Sequence, residues 1–215
     1  MKKLIHGDCL EIMDQLIEQG IRVDAIITDV PYGTTACNWD SIIPFDEMWK
    51  RLKLLRRENT PIVLFGSEPF SSALRMSNIK EFKYDWYWIK NRSTNHMQAK
   101  RMPMRKVELI HVFFKKSLWY NAQKTTGHNP TNSAKGCTNG SIYHTGITRD
   151  YVGGDTTRMP VNVLEFKTVG NGNKLHPSEK PIELMEYLIK TYTNKGDIVL
   201  DFTMGSGSTG VACVN

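Results

Sequence analysis

The sequence predicts an α/β fold: a mostly parallel sheet covered by helices on both faces. Three observations carry this expectation. Short apolar runs, "VDAII" at 23–27, "TPIVLF" at 60–65 and "DIVL" at 197–200, have the length and composition of buried strands. They alternate with stretches of helical period. A glycine-rich segment, "FTMGSGSTG" at 202–210, directly follows the last run, as a strand-to-helix turn does in such folds.

Taken in order, "KLIHGD" at 3–8 reads as a short strand ending in a Gly-Asp turn. "CLEIMDQLIEQG" then places Leu10, Met13, Leu16 and Ile17 on one helical face, with Gly20 suited to the C-terminal cap. After "VDAIITD" and a loop containing Trp39, residues 44–59 carry a helical stripe of Phe45, Met48, Trp49, Leu52 and Leu55. "TPIVLFGS" returns to strand, "PFSSALRMSN" to helix, and "FKYDWYWIK" and "VELIHVFFKK" are aromatic-rich and apolar strands, with Trp86 and Trp88 assigned to the core. Residues 117–174 are rich in Asn, Thr, Gly, Ser and Lys without a sustained period, which predicts a loop-rich insertion. Order resumes in "KPIELMEYLIKTYTNKGD", where Pro181 suits the first turn, Ile182, Met185, Leu188 and Ile189 make the buried face, and Gly196 stops the helix. The expected division is therefore 1–116 and 175–215 as two halves of one domain, with 117–174 inserted.

The 215-residue chain has the length of one domain, and none of its apolar runs is long enough to span a bilayer as a helix. "MKKLIHGDC" reaches His6 and Asp8 before a signal-peptide core can form, so a cytoplasmic protein is expected. Cys9, Cys37, Cys137 and Cys213 lack the paired spacing of zinc ligands, so reduced thiols and no metal are expected. The net charge of +6 is unevenly spread. Residues 90–135 hold ten basic residues against the single acid Glu108, hence +9, while the other 18 basic and 21 acidic residues sum to −3. Such a basic middle is the footprint of a face that binds a polyanion through its phosphates, with Lys90, Arg92, Lys100, Arg101, Arg105 and Lys106 as its leading candidates.

Two segments carry chemistry. In "LDFTMGSGSTG" the glycines let backbone approach a ligand, and Asp201 at the strand end can accept a hydrogen bond from a ligand amine or hydroxyl. No Lys follows in the P-loop position, which disfavours ATP. In "TDVPYG" at 28–33 an acid, a proline and a tyrosine follow a core strand. An exocyclic amine on a nucleobase is a poor nucleophile because its lone pair is delocalised, so methylating it needs acceptors that hold both hydrogens. Asp29 supplies one, and the Val30 carbonyl, directed by the restraint of Pro31 on its predecessor, supplies the second. Tyr32 can stack on the base, a contact worth roughly 1 to 3 kcal/mol.

"TDVPYG" resembles the Asp-Pro-Pro-Tyr motif of S-adenosylmethionine-dependent DNA amino-methyltransferases, and "LDFTMGSGSTG" is similar to their Asp-Pro-Phe-x-Gly-Ser-Gly cofactor motif. "HPSEKPIELMEYLI" resembles the helix before the cofactor strand, and "DWYWIKNRSTN" and "VELIHVFF" fit the strands between the two sites. The order, catalytic motif first, is that of the beta class, and the resemblance covers most of 1–116 and 174–215. It implies a Rossmann-like methyltransferase fold with a circularly permuted sheet. It further implies methyl transfer from S-adenosylmethionine to the 6-amino group of adenine in double-stranded DNA, by extruding the base. Residue by residue, it implies that Asp29, Val30 and Pro31 shape the amine pocket and that Tyr32 stacks on the flipped base. Asp201, Phe202, Thr203, Gly205 and Gly207, assisted by Lys180 and Pro181, would line the cofactor, with Asp8 facing its adenine. The insertion would read the target sequence.

Three departures from the family pattern stand out. Val30 replaces the first proline, and Phe202 and Thr203 stand where Pro and Phe are usual. The sequence also stops at Asn215, before the strand whose terminal acid binds the cofactor ribose in related folds, so a chain truncated at its C-terminus is expected. The same residues leave open a cytosine 4-amino methyltransferase and an inert, truncated DNA-binding remnant. Methylation of a protein glutamine, which uses an Asn-Pro-Pro-Tyr pocket, is disfavoured by Asp29, the motif order and the basic middle.

Overall fold

A computed structural model describes residues 3–35, 37–116, 119–131, 135–137, 148–150, 153–170, 172, 176 and 179–215. The chain divides into two units, 1–121 with 162–215, and 122–161. In the larger unit, helices Cys9–Glu18 (α1), Phe45–Leu55 (α2), Phe70–Ser77 (α3), Ile182–Tyr192 (α4) and Ser208–Ala212 (α5) accompany a six-stranded sheet. Its strands are Ala25–Thr28 (β1), Ile62–Gly66 (β2), Phe82–Thr94 (β3), Arg105–Phe113 (β4), Val163–Phe166 (β7) and Val199–Leu200 (β8), in the order β7-β3-β4-β2-β1-β8. β8 pairs parallel with β1, β1 with β2, and β3 with β7, whereas β4 runs antiparallel to both its neighbours. Five strands thus share one direction and only β4 is reversed. In the smaller unit Lys135–Cys137 (β5) pairs antiparallel with Thr148–Asp150 (β6).

The two faces of the sheet follow from strand alternation. Ala25, Ile27, Val63 and Phe65 pack with Leu184, Met185, Leu188 and Tyr192 of α4 on one face. Ile26, Ile62 and Leu64 pack with Met13 of α1, Met48, Trp49, Leu52 and Leu55 of α2 and Leu74 of α3 on the other. Both faces of β1 and β2 are therefore buried, as parallel strands require, and their runs read as continuous apolar sequence. Trp86 and Trp88 are core residues, as expected.

Three expectations are corrected. "KLIH" is not a strand: it pairs with nothing in the sheet, and Leu4 and Ile5 are exposed. The insertion is shorter than 117–174, because 163–166 form β7 and extend the main sheet beside β3. Ile182 and Ile189 are only half-buried, while Leu184, Thr191 and Tyr192 complete the covered face of α4.

One close approach shapes the centre of the sheet. His111 on β4 shares hydrogen bonds with Asp85 (2.6 Å) and with the Ser71 hydroxyl (2.8 Å), all buried. A Cβ on Gly66 would lie 2.5 Å from Ser71 Oγ and 2.6 Å from His111 Nε2, so only glycine leaves room for this contact.

Candidate active site

The C-terminal ends of β1, β2 and β8 share one edge of the sheet, where open α/β sheets bind ligands. "DVPYG" leaves β1 at this edge and is held by a side chain outside the motif. The carboxylate of Asp40 accepts main-chain N–H bonds from Tyr32 and Gly33 on one oxygen and from Thr34 and Thr35 on the other, at 2.7–2.9 Å. Burial pushes its pKa up, but these bonds and the Thr35 hydroxyl outweigh that and leave it lowered. Gly33 has φ 66°, the left-handed geometry in which a side chain is strained.

Asp29 sits inside a cluster of charges. Its Oδ1 accepts a hydrogen bond from the Tyr32 hydroxyl (2.6 Å) and its Oδ2 from Lys180 Nζ (2.5 Å). Lys180 also lies 3.1 Å from Glu108 Oε1, while Lys90 pairs with Glu108 Oε2 at 2.6 Å. The Tyr32 hydroxyl is 3.3 Å from Glu108. Two carboxylates and two ammonium groups thus balance beside one phenol. Burial, together with the Glu108 charge, holds Asp29 above its ordinary pKa against the pull of Lys180. Burial also works against the charge of Glu108, but Lys180 and Lys90 override it and leave its pKa lowered. For Lys180, burial is overridden by Asp29 and Glu108, so its pKa is raised and it stays protonated.

Asp201 follows β8, the neighbour of β1, and its surroundings are hydroxyls. Its Oδ1 accepts from the Thr28 hydroxyl (2.5 Å) and the Thr203 N–H (3.1 Å), and its Oδ2 from the Thr209 hydroxyl (2.5 Å). Burial raises its pKa, with the hydroxyls pulling the other way. Thr203 Oγ1 donates to the main-chain carbonyl of Asp29 (3.0 Å) and touches the Thr28 hydroxyl (2.5 Å). Where the family usually has an aromatic, a hydroxyl here ties the ends of β1 and β8 together. Between them lies a small cleft, partly open to solvent, lined by Asp29, Lys180, Met185, Asp201, Thr203, Met204, Gly205, Ser206, Ser208 and Thr209. Gly205 (φ 55°) and Gly207 (φ 85°) give the turn its left-handed geometry, and the space around Gly207 is open.

The sequence-predicted residues separate into three groups. Asp29, Lys180, Asp201, Thr203 and Gly205 line this cleft, with Tyr32 bonded to Asp29 and Gly207 in the same turn. Others lie outside the lining of this cleft. Asp8 caps α1, accepting from the N–H groups of Leu10 and Glu11, and Pro181 precedes α4. Val30 is buried in the apolar cluster on the α1–α3 face, and Phe202 packs against that cluster rather than lining the cleft. Pro31 is half-buried in the loop. Of the basic set, Arg92, Lys100, Arg101, Arg105 and Lys106 are exposed, but Lys90 is not a free cation: it is committed to buried Glu108. Glu108, Asp40 and Thr28 were not anticipated. The only sequence signal for Glu108 was its isolation as the one acid of the basic segment.

A family model described as DNA methylase matches residues 23–215. The chain belongs to the DNA methylase family. It is 26% identical to the type II methyltransferase M.HpaI of Haemophilus parainfluenzae over 99% of its own length and 66% of that protein. It is 25% identical to the DNA adenine methyltransferase YhdJ of Escherichia coli K12, covering 99% and 74%. Among solved structures, the M1.HpyAVI–SAM complex is 28% identical with a TM-score of 0.65, covering all of this chain and 89% of that one. This DNA methylase thus has a Rossmann-like methyltransferase fold, and it spans about two thirds of the length of M.HpaI. No described helix is long and apolar enough to cross a membrane, and no group of metal-binding side chains occurs among the described residues.

Proposed function

We infer that this DNA methylase transfers a methyl group from S-adenosylmethionine to the 6-amino group of adenine in double-stranded DNA. The observation that carries the reading is the contact between the two halves of the site: Thr203 of the glycine turn donates to the carbonyl of Asp29. An amine held at Asp29 and a ligand held along the turn would therefore be neighbours. The similarity to a protein named as an adenine methyltransferase supports adenine as the base.

The cleft fits the cofactor on the chemistry of its lining. Asp201 keeps lone pairs that suit an ammonium, Ser206 and Ser208 offer hydroxyls to a carboxylate, and Met185 supplies an apolar wall. When bound there, the cofactor supplies an electrophilic methyl group. Asp29 accepts one amine hydrogen and the Val30 carbonyl the other, which returns lone-pair density to the nitrogen. Asp29 is then the acceptor for the proton that the nitrogen sheds as its new bond to carbon forms. Tyr32 stacks on the extruded base. To do so its hydroxyl must leave Asp29, and Glu108 is within reach of both this hydroxyl and Lys180 to receive them. The unit at 122–161 carries target recognition.

The test is incubation with methyl-labelled cofactor and unmethylated duplex DNA, followed by hydrolysis to nucleosides. Label in 6-methyladenine is expected. Label in 4-methylcytosine overturns the base assignment, and no label in DNA overturns the reading.

A further inference from the structure

β3 and β4 do more than carry Lys90 and Glu108 to the site. In the sheet register Gly66, the last residue of β2, pairs with Leu109, so β4 from Arg105 onward begins about 13 Å beyond the end of β2, at about 3.3 Å per residue. The β3–β4 hairpin therefore overhangs the same sheet edge that holds Asp29 and Asp201. Its root is braced: Arg105 donates to the Ser67 hydroxyl (3.1 Å) just after β2, and Lys90 on β3 pairs with Glu108 on β4. Its tip turns through Asn95, whose φ of 71° lies in the left-handed region that asparagine tolerates, into a short 3-10 turn at His96–Gln98.

The chemistry of this tip is unusual in two ways at once. No acid occurs between Lys90 and Glu108, while Lys100, Arg101 and Lys106 are exposed. Amid these cations the side chains of Met97, Met102 and Met104 face solvent, at 98%, 47% and 44% exposure. Exposed cations match phosphates, and an unbranched thioether fills irregular apolar gaps such as an opened base step.

We propose that the β3–β4 hairpin is a duplex-DNA arm of this methylase: Lys100 and Arg101 grip the phosphates beside the target, and Met97 enters the stack next to the extruded base. The assignment rests on the DNA-methylation reading above. Paired strands, with a register shift between Ile89 and Thr94, join the arm to Glu108 and Lys90, so the arm and part of the amine pocket lie on one hairpin.

The test uses the whole chain and fluorescence anisotropy on duplex DNA across a sodium chloride series, alongside label transfer. K100A/R101A lowers the slope of log affinity against log salt by about 2, near 0.9 for each phosphate left without its cation, whereas K195A, exposed at the opposite sheet edge, leaves it unchanged. M97A keeps the salt slope but slows methyl transfer to intact duplex about tenfold, and M97L retains the rate. On heteroduplex DNA with mispaired adenines, M97A regains wild-type transfer, because an unpaired base needs no wedge. An unchanged slope in K100A/R101A, with wild-type transfer intact, overturns the arm. Equal transfer to intact duplex by M97A and wild type overturns the wedge. Failure of the wild type to label DNA overturns the function instead, so the two failures are distinct.

Discussion

Asp29 and Asp201 follow neighbouring parallel strands, are both partly buried, and both have pKa values raised by burial, yet their surroundings differ in kind. Asp29 is neutralised by charge, within a set of two carboxylates and two ammonium groups. Asp201 is met by neutral donors, the hydroxyls of Thr28 and Thr209 and one N–H, and no cation is paired with it among the described residues. The difference teaches what each acid can hold. A charge-balanced acceptor takes hydrogens from a neutral amine without drawing in stray cations, whereas an uncompensated carboxylate in a half-open cleft favours a cationic ligand group.

The sharpest way to break this division is to neutralise each acid separately. Asp29→Asn is expected to cut methyl transfer by about a thousandfold or more while leaving cofactor affinity within a few-fold. Asp201→Asn is expected to weaken cofactor binding by about ten- to a hundredfold, the worth of a hydrogen bond to a charged group. Calorimetry with the cofactor and label transfer to DNA separate the two. If both variants change the same quantity, the division of labour is wrong.

Charge balance around Asp29 is tested next at Glu108. Glu108→Ala leaves Lys90 without its partner and Lys180 with only Asp29, and loss of one partner of a buried pair costs about 3–5 kcal/mol of stability. Urea unfolding measures this, and a variant as stable as the wild type would mean that the cluster is not a closed set of charges. Gly66→Ala is a comparison away from both acids: its clash with Ser71 and His111 is expected to cost about 1–3 kcal/mol in the same unfolding measurement. Residual cofactor affinity of the folded fraction should be unchanged, so a loss there would extend the site to the sheet centre.

Acid pH supplies the gentlest test. The role proposed for Asp29 requires its ionised form, and its pKa lies above the usual 3.8, so activity is expected to fall with pH through a value above that. Glu81 moves the other way: its bidentate bonds from Arg56 hold it at about 2. A depressed carboxylate contributes stability above its unfolded pKa, near 4.5, and loses it as pH falls toward 2. Activity should therefore disappear while this pair is still ionised, as rate and circular dichroism profiles taken together would record. Coincident loss would mean that unfolding, not Asp29, sets the acid limb.

Local patterns made much of this legible in advance. The β1 and β2 runs are apolar because both faces are covered, and the turns after β1 and β8 are written in adjacent residues. What failed did so for reasons of pairing. β7 is only four residues long, follows a stretch without a sustained period, and takes its place as a strand along the edge of β3. "KLIH" has strand-like composition but no such edge. Lys90 counted as a surface cation until the β3–β4 register set it against Glu108.

By itself, then, the sequence determined the fold class and the order of the two motifs that hold Asp29, Asp201 and the glycine turn, because each depends on neighbours a few residues away. Only the tertiary structure decided how those acids are compensated. Glu108 and Lys180 lie 79 and 151 residues from Asp29, and Thr203 lies 174 from it. Strand register and the shared edge of β1 and β8 bring them within hydrogen-bond distance, and no periodicity in the chain encodes that meeting.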